Sequence, residues 1–144
     1  MNNQFRMKIR ALTENVAFAR SCISAFCVGL NPSLEQLDEI KTSSSEAITN
    51  AIVHAYPTDG DNYIWIEVRI EDANLTIIVE DEGVGIEDIS QAIQPFFTTK
   101  AEEEHSGMGF TLINSFMDKV DIISTKDKGT RVVMQKNIAE NTNV

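Results

Sequence analysis

Apolar and polar positions alternate at the start of the chain, where Phe5, Met7 and Ile9 are separated by Arg6 and Lys8. A period of two puts the apolar side chains on one face of an extended segment, so QFRMKIRAL reads as a strand. The period then lengthens. TENVAFARSCISAFCVGL carries apolar residues at helical spacing, with Thr13 at the N-cap and Glu14 in the first turn, which predicts a first helix. After NP the pattern restarts: Ser33 followed three residues later by Gln36 has the form of a capping box, and Leu34, Leu37, Ile40, Ser44, Ala47, Ile48, Ala51, Ile52 and Ala55 share a helical face. This second helix is expected to run to about Tyr56, where Pro57 ends it. Ser44 occupies an apolar-face position where a larger residue is expected.

Beyond the turn PTDGDN, strict alternation returns in YIWIEVRIED, with Ile64, Ile66, Val68 and Ile70 facing one way and Trp65, Glu67 and Arg69 the other. In ANLTIIVEDEGVGI, Leu75, Ile77 and Val79 share parity with Asp81, so a regular strand would turn that carboxylate toward the core. A polar, glycine-ended loop, FFTTKAEEEHSGMGF, precedes a third helix in GFTLINSFMDKV. Two closing strands, VDIIST and GTRVVMQK, are joined through KDKG. Five strands and three helices linked largely by hairpins imply an α+β fold: a two-layer sandwich with a mostly antiparallel sheet and helices on one face. The other face, carrying Trp65, is then solvent-facing or a contact surface.

Length and composition sharpen this picture. With 144 residues, 42% of them hydrophobic, the chain is expected to form a single domain with one core. No apolar run approaches the roughly 20 residues of a membrane span, and MNNQFRMKIR lacks the apolar stretch of a signal peptide, so a cytoplasmic protein without membrane contact is expected. Cys22 and Cys27 have neither redox nor zinc-knuckle spacing and read as reduced thiols. A net charge of −10 argues against direct nucleic-acid binding, which relies on clustered Lys and Arg. It leaves nucleotide binding open, because backbone N–H groups and a metal ion can supply the local field.

Three features carry candidate chemistry. Glu46 and Asn50 interrupt an apolar helix four residues apart, and His54 extends the stripe. Spacing alone fits a solvated polar stripe equally well. As a site, Asn50 offers a hard oxygen ligand for Mg2+, and Glu46 a general base one turn away. A zinc reading through Glu46, His54 and His105 lacks a two-His helical signature. In DEGVGI, a strand-end carboxylate precedes Gly83 and Gly85, where missing Cβ atoms would allow close approach to a flat ligand; a tight turn explains the same letters. In SGMGF, the amides of Gly107, Met108 and Gly109 stand at a helix N-terminus that can hold an anion, or form an ordinary glycine-rich cap. Neither glycine pair extends to GxGxxG, and no P-loop or HRD/DFG set is present.

In that order, Glu46-x-x-x-Asn50, Asp81-x-Gly83-x-Gly85 and Gly107-x-Gly109 resemble the N, G1 and G2 boxes of the GHKL ATPase and kinase superfamily, whose nucleotide pocket is the Bergerat fold. SEAITNAIVHAY, DEGVGI, QPFFTTK, SGMGF, FMDKVDI and KGT look most like the sporulation anti-sigma F family of serine protein kinases, over about residues 8 to 136. The resemblance implies an ATP- and Mg2+-dependent protein that binds a sigma factor, phosphorylates a serine of an anti-anti-sigma protein and itself forms the homodimer of the family. It implies that Asn50 holds Mg2+, Glu46 takes the serine proton and Asp81 meets the adenine amino group. Gly83, Gly85 and Thr130 would line the adenine side, and Thr98, Thr99, Lys100, Gly107, Met108 and Gly109 the phosphates. Arg20 would face a partner. Three positions depart from the family pattern: His105 stands in place of an arginine, Ala55 in place of a glycine, and Val16 in place of an acid.

Overall fold

The computed structural model describes residues 2–56, 60–86 and 109–139. Among them are strands β1 (Asn2–Arg10), β2 (Tyr63–Glu71), β3 (Asn74–Asp81), β4 (Lys119–Thr125) and β5 (Gly129–Asn137). They form one sheet of order β1-β2-β3-β5-β4 in which every neighbouring pair is antiparallel. The alternation expected from the sequence holds: Ile64, Ile66, Val68 and Ile70 of β2 and Leu75, Ile77 and Val79 of β3 are all buried. Each such side chain contributes roughly 1.5–3 kcal/mol through water exclusion.

Helices α1 (Asn15–Cys27), α2 (Leu34–Thr49) and α3 (Gly109–Phe116) supply the other layer. Ala19 and Ile23 of α1, Ile40, Ala47 and Ile48 of α2, and Ile113 of α3 join the strand residues in one core. The architecture is the two-layer α+β sandwich that the pattern implies. The outer face of the sheet carries Lys8 over the Tyr63 and Trp65 rings, at 4.4 and 5.7 Å, and Glu67 paired with both Arg6 and Arg69. An open trough there, bordered by Arg69, Ile78, Arg131 and Gln135, lies across the sheet from Asp81. No helix among the described residues is long and apolar enough to cross a membrane.

Helix boundaries differ from the sequence reading in three places. Thr13 does not cap α1: Glu14 precedes the helix without a side-chain cap, while the Thr13 hydroxyl lies 3.1 Å from Glu14 Oε1. A turn closed by Asn15 N–H on the Leu12 carbonyl uses up the residues in which that cap would form. Helix α2 does not continue as one α-helix to Tyr56. It passes into a π turn over Asn50–His54, and Pro57 lies outside the described residues. Helix α3 stops at Phe116, whose carbonyl accepts from Lys136, on the core side of β5, at 2.6 Å; the same ammonium lies 3.8 Å from Glu39. An ammonium at a helix C-terminus meets the negative end of the helix dipole.

At the start of α2 the capping box is present in both directions: Gln36 N–H donates to Ser33 Oγ at 3.0 Å, and Ser33 N–H donates to Gln36 Oε1 at 2.9 Å. Replacing Ser33 with Ala is expected to lower stability by about 1 kcal/mol, read as a lower urea midpoint at unchanged slope.

Candidate functional site

The site begins where α2 changes character. Asn50 donates its N–H to the carbonyls of both Glu46 and Ala47, and one turn on, Ala55 N–H reaches back five residues to Asn50 O at 3.1 Å. Asn50 therefore marks the junction between α and π geometry, an irregularity found often at functional sites. Glu46 and Asn50 keep α spacing, lie one turn apart on one face and are half-buried. His54 belongs to the wider π turn. Among the described residues no three His, Cys, Asp or Glu side chains gather as a metal cluster.

The helix end is tied to the end of β3. Val84 N–H donates to the Ala55 carbonyl at 2.9 Å. The Tyr56 hydroxyl accepts from Glu82 N–H at 2.7 Å and donates to the Tyr63 carbonyl at 2.8 Å. On the other side the β4–β5 hairpin holds the same segment: Asp127 N–H donates to Val84 O at 2.7 Å, and Ile86 N–H to Ser124 Oγ at 2.7 Å. The glycines of DEGVGI answer first to these contacts. A Cβ on Gly83 would sit 2.1 Å from the Ala55 carbonyl oxygen, and one on Gly85, whose φ is +76°, would sit 2.3 Å from Thr125 O. Ala55 is accommodated because the residue facing it has no side chain.

Asp81 faces inward, as its parity requires, and is only 6% exposed. Its Oδ1 accepts from Gly83 N–H at 2.9 Å and from Thr130 N–H at 3.3 Å. Among the described residues none donates to Oδ2. Burial pushes the carboxyl up from 3.8 to about 6, against the pull of the Gly83 and Thr130 amides, and the Glu80 charge adds to the rise. The carboxylate is thus short of donors at the edge of the core. Thr130, its register partner on β5, is also buried, and its hydroxyl lies 2.8 Å from Ser124 Oγ.

The fold therefore brings Asp81, Gly83, Gly85 and Thr130 together at one end of the sheet, beside the end of the helix that bears Glu46 and Asn50. Gly109 opens α3, which packs against α2. Thr98, Thr99, Lys100, His105, Gly107 and Met108 lie outside the described residues. Arg20 stands half-buried on α1 and takes no part in the hydrogen bonds that assemble this end of the sheet. Sequence reasoning missed Tyr56 and Ser124. Ser124 shares the inward parity of Val120 and Ile122, which could have placed it; nothing in the local pattern marks Tyr56.

The chain matches the Histidine kinase-like ATPase domain family over residues 9–136. It is 46% identical over 136 residues to an anti-sigma F factor of Clostridium perfringens, covering 94% of this chain and 97% of that one. The chain belongs to the anti-sigma F factor family. Anti-sigma F factors of Geobacillus kaustophilus and Oceanobacillus iheyensis are 49% and 43% identical, over 97% and 100% of this chain and 96% and 99% of theirs. The same fold occurs in the RsbU and RsbW domains of a Mycobacterium tuberculosis protein, with a TM-score of 0.68 at 15% identity, covering 94% of this chain and 32% of that one. It occurs again in a blue-light activated histidine kinase of Erythrobacter litoralis, with a TM-score of 0.60 at 16% identity, over 91% of this chain and 42% of that one.

Two outcomes test the anti-sigma F geometry. Gly83→Ala should destabilise the protein by about 1–3 kcal/mol, because the new methyl group must displace backbone; urea unfolding measures it. The raised Asp81 value means that the native state holds this proton more tightly than the unfolded chain. Its stability cost is therefore absent below about pH 4, grows as pH rises to about 6, and is full above that. Asp81→Asn should be more stable than wild type at pH 7.5, by up to roughly 3 kcal/mol, and no more stable at pH 3.5. Thermal unfolding across this range would show it.

Proposed function

We propose that this chain is an ATP-dependent anti-sigma factor: it captures a sigma factor and, with Mg2+, phosphorylates a serine of that sigma factor's antagonist. The observation that carries the nucleotide reading is Asp81, a buried carboxylate with one oxygen short of donors. An exocyclic amino group supplies the missing hydrogen bond and lowers the cost of keeping the carboxylate charged. The residues present therefore fit adenine. Membership of the anti-sigma F family supports the kinase activity and the sigma and antagonist partners.

Each residue then has a task. Asn50, at the α to π junction, offers its side-chain oxygen to Mg2+, a hard cation that takes oxygen ligands. Glu46, one turn earlier, orients the acceptor serine and takes its hydroxyl proton. Gly83, Gly85 and Thr130 line the adenine side. Thr98, Thr99, Lys100, Gly107, Met108 and Gly109 close over the phosphates, and Arg20 meets a protein partner. Bound Mg-ATP supplies the γ-phosphoryl group, which joins the serine oxygen and leaves ADP. The protein works as one domain, as a homodimer in the cytoplasm, without direct contact to nucleic acid or membrane; its charge of −10 is consistent with the last point.

Intact-mass measurement of an anti-anti-sigma protein incubated with this chain and Mg-ATP tests the reading. One added phosphoryl group is expected with wild type. Glu46→Gln is expected to slow its appearance at least about 100-fold while ATP binding and sigma capture persist. No added mass from wild type, with both binding activities intact, would leave a nucleotide-regulated sigma-binding module in place of a kinase.

A further inference from the structure

Lys136 breaks the pattern of its strand. The inward positions of β5 carry Val132 and Met134, both buried, and the next one is a lysine only 9% exposed. An ammonium has three hydrogens to give. Among the described residues this one makes a single hydrogen bond, to the Phe116 carbonyl at 2.6 Å, with Glu39 farther off at 3.8 Å. A buried charge so sparsely partnered is costly. What it holds is the end of α3, where the last carbonyls have no partner within the helix. That helix is eight residues long and has no basic residue of its own in its last turn. It falls well short of the roughly 12–15 residues at which a helix holds unaided in water. Buried Ile113 fixes one face of it, and Lys136 fixes its end.

We propose that Lys136 is a positioning residue for phosphate binding: by anchoring the C-terminal end of α3 it keeps that helix formed, with its opposite end at Gly109 set toward the phosphates of ATP. In sequence, Gly107 and Met108 lead directly into Gly109, the first residue of the helix. A cation at the C-terminal end complements the helix dipole, whose positive end lies at Gly109. A helix already formed presents its first amides without the entropy cost of ordering them on binding, and that saving appears as affinity for the phosphates. The base, held at the end of the sheet by Asp81, gains nothing from it. Eight residues of helix span about 12 Å, so the ammonium at one end touches no phosphate at the other. It acts through the helix that it closes.

The inference rests on the reading that Gly107, Met108 and Gly109 meet the phosphates of ATP. Mg-ATP binding is measured by titration calorimetry, and binding of adenosine, which has the base and no phosphate, by ligand-observed NMR titration. Both are measured for wild type, Lys136→Met, Glu39→Gln and the double variant, with the urea midpoint of each. Lys136→Met nearly keeps the length of the side chain and removes the cation; it should weaken ATP binding about tenfold and leave adenosine binding unchanged. The double variant, in which no carboxylate is left facing a lost partner, should show the same loss, and it carries the test if Lys136→Met alone does not fold. Glu39→Gln keeps the ammonium on Phe116 and should retain the wild-type affinity for ATP. A purely structural role would lower the midpoint and weaken both ligands alike. An unchanged ratio of ATP to adenosine affinity in the variants lacking Lys136 overturns the inference while the ATP reading stands, as does a loss of equal size in Glu39→Gln. A wild type that binds ATP no more tightly than adenosine removes the phosphate reading and the inference together.

Discussion

At Gly83 the chain leaving the central strand passes so close to the Ala55 carbonyl that a methyl group cannot fit, and at Gly129 the hairpin strand passes equally close to the Asp81 carbonyl, 2.1 Å from where a Cβ would stand in either case. These approaches lock three segments that are far apart in sequence: the end of the second helix, the end of β3, and the β4–β5 turn. Interiors pack densely, so such contacts transmit position with little slack. Hydrogen bonds then complete the lock, from Val84 and Glu82 toward the helix and from Val84 and Ile86 toward the hairpin. The position of Asp81 relative to Asn50 follows from these contacts.

Within that frame the protein maintains a costly group. A carboxylate placed at the edge of a core of Ile, Val and Leu side chains loses hydration that two backbone amides on a single oxygen restore only in part. The second helix carries a related cost, because the hydroxyls of Ser43, Ser44 and Ser45 are buried without partners among the described residues. Ser44 thus fills the apolar-face position expected to hold a larger side chain, and it is fully buried. Natural proteins commonly retain destabilising groups where function needs them. For Asp81 the proposed adenine contact would be such a need; for the three serines the structure offers no such account.

The sheet order sets Asp81 beside Thr130. Had β4 paired directly with β3, Thr130 would sit on an edge strand, away from Asp81. Because β5 lies between them, Asp81 and Thr130 become register partners and Ser124 lies directly across from Thr130 on the edge strand. A carboxylate, a threonine hydroxyl and a serine hydroxyl in contact with it are thereby aligned across three neighbouring strands. Capping is similarly distributed: Lys136 reaches from β5 to the last turn of the third helix and toward Glu39 on the second, joining both layers at the opposite end of β5 from Thr130.

The sequence by itself determined which residues face the core on each strand, the inward direction of Asp81, the capping box at Ser33, and, through the order of its motifs, the family. Those properties depend on local periodicity or on short motifs, and a period of two or 3.6 residues is visible without knowing what the element packs against. Tertiary structure decided the rest. Periodicity continued the second helix smoothly through His54, whereas the π turn arises where that helix end must meet the loop after β3. Thr13 looked like a cap until a turn closed by Asn15 and Leu12 displaced it. The glycines of DEGVGI looked like an approach to a ligand, and prove first to be an approach to the protein's own backbone. Ser124 and Tyr56 gain their partners only when strands and helix ends distant in sequence come into register, because hydrogen bonds between such segments depend on packing that no local pattern encodes.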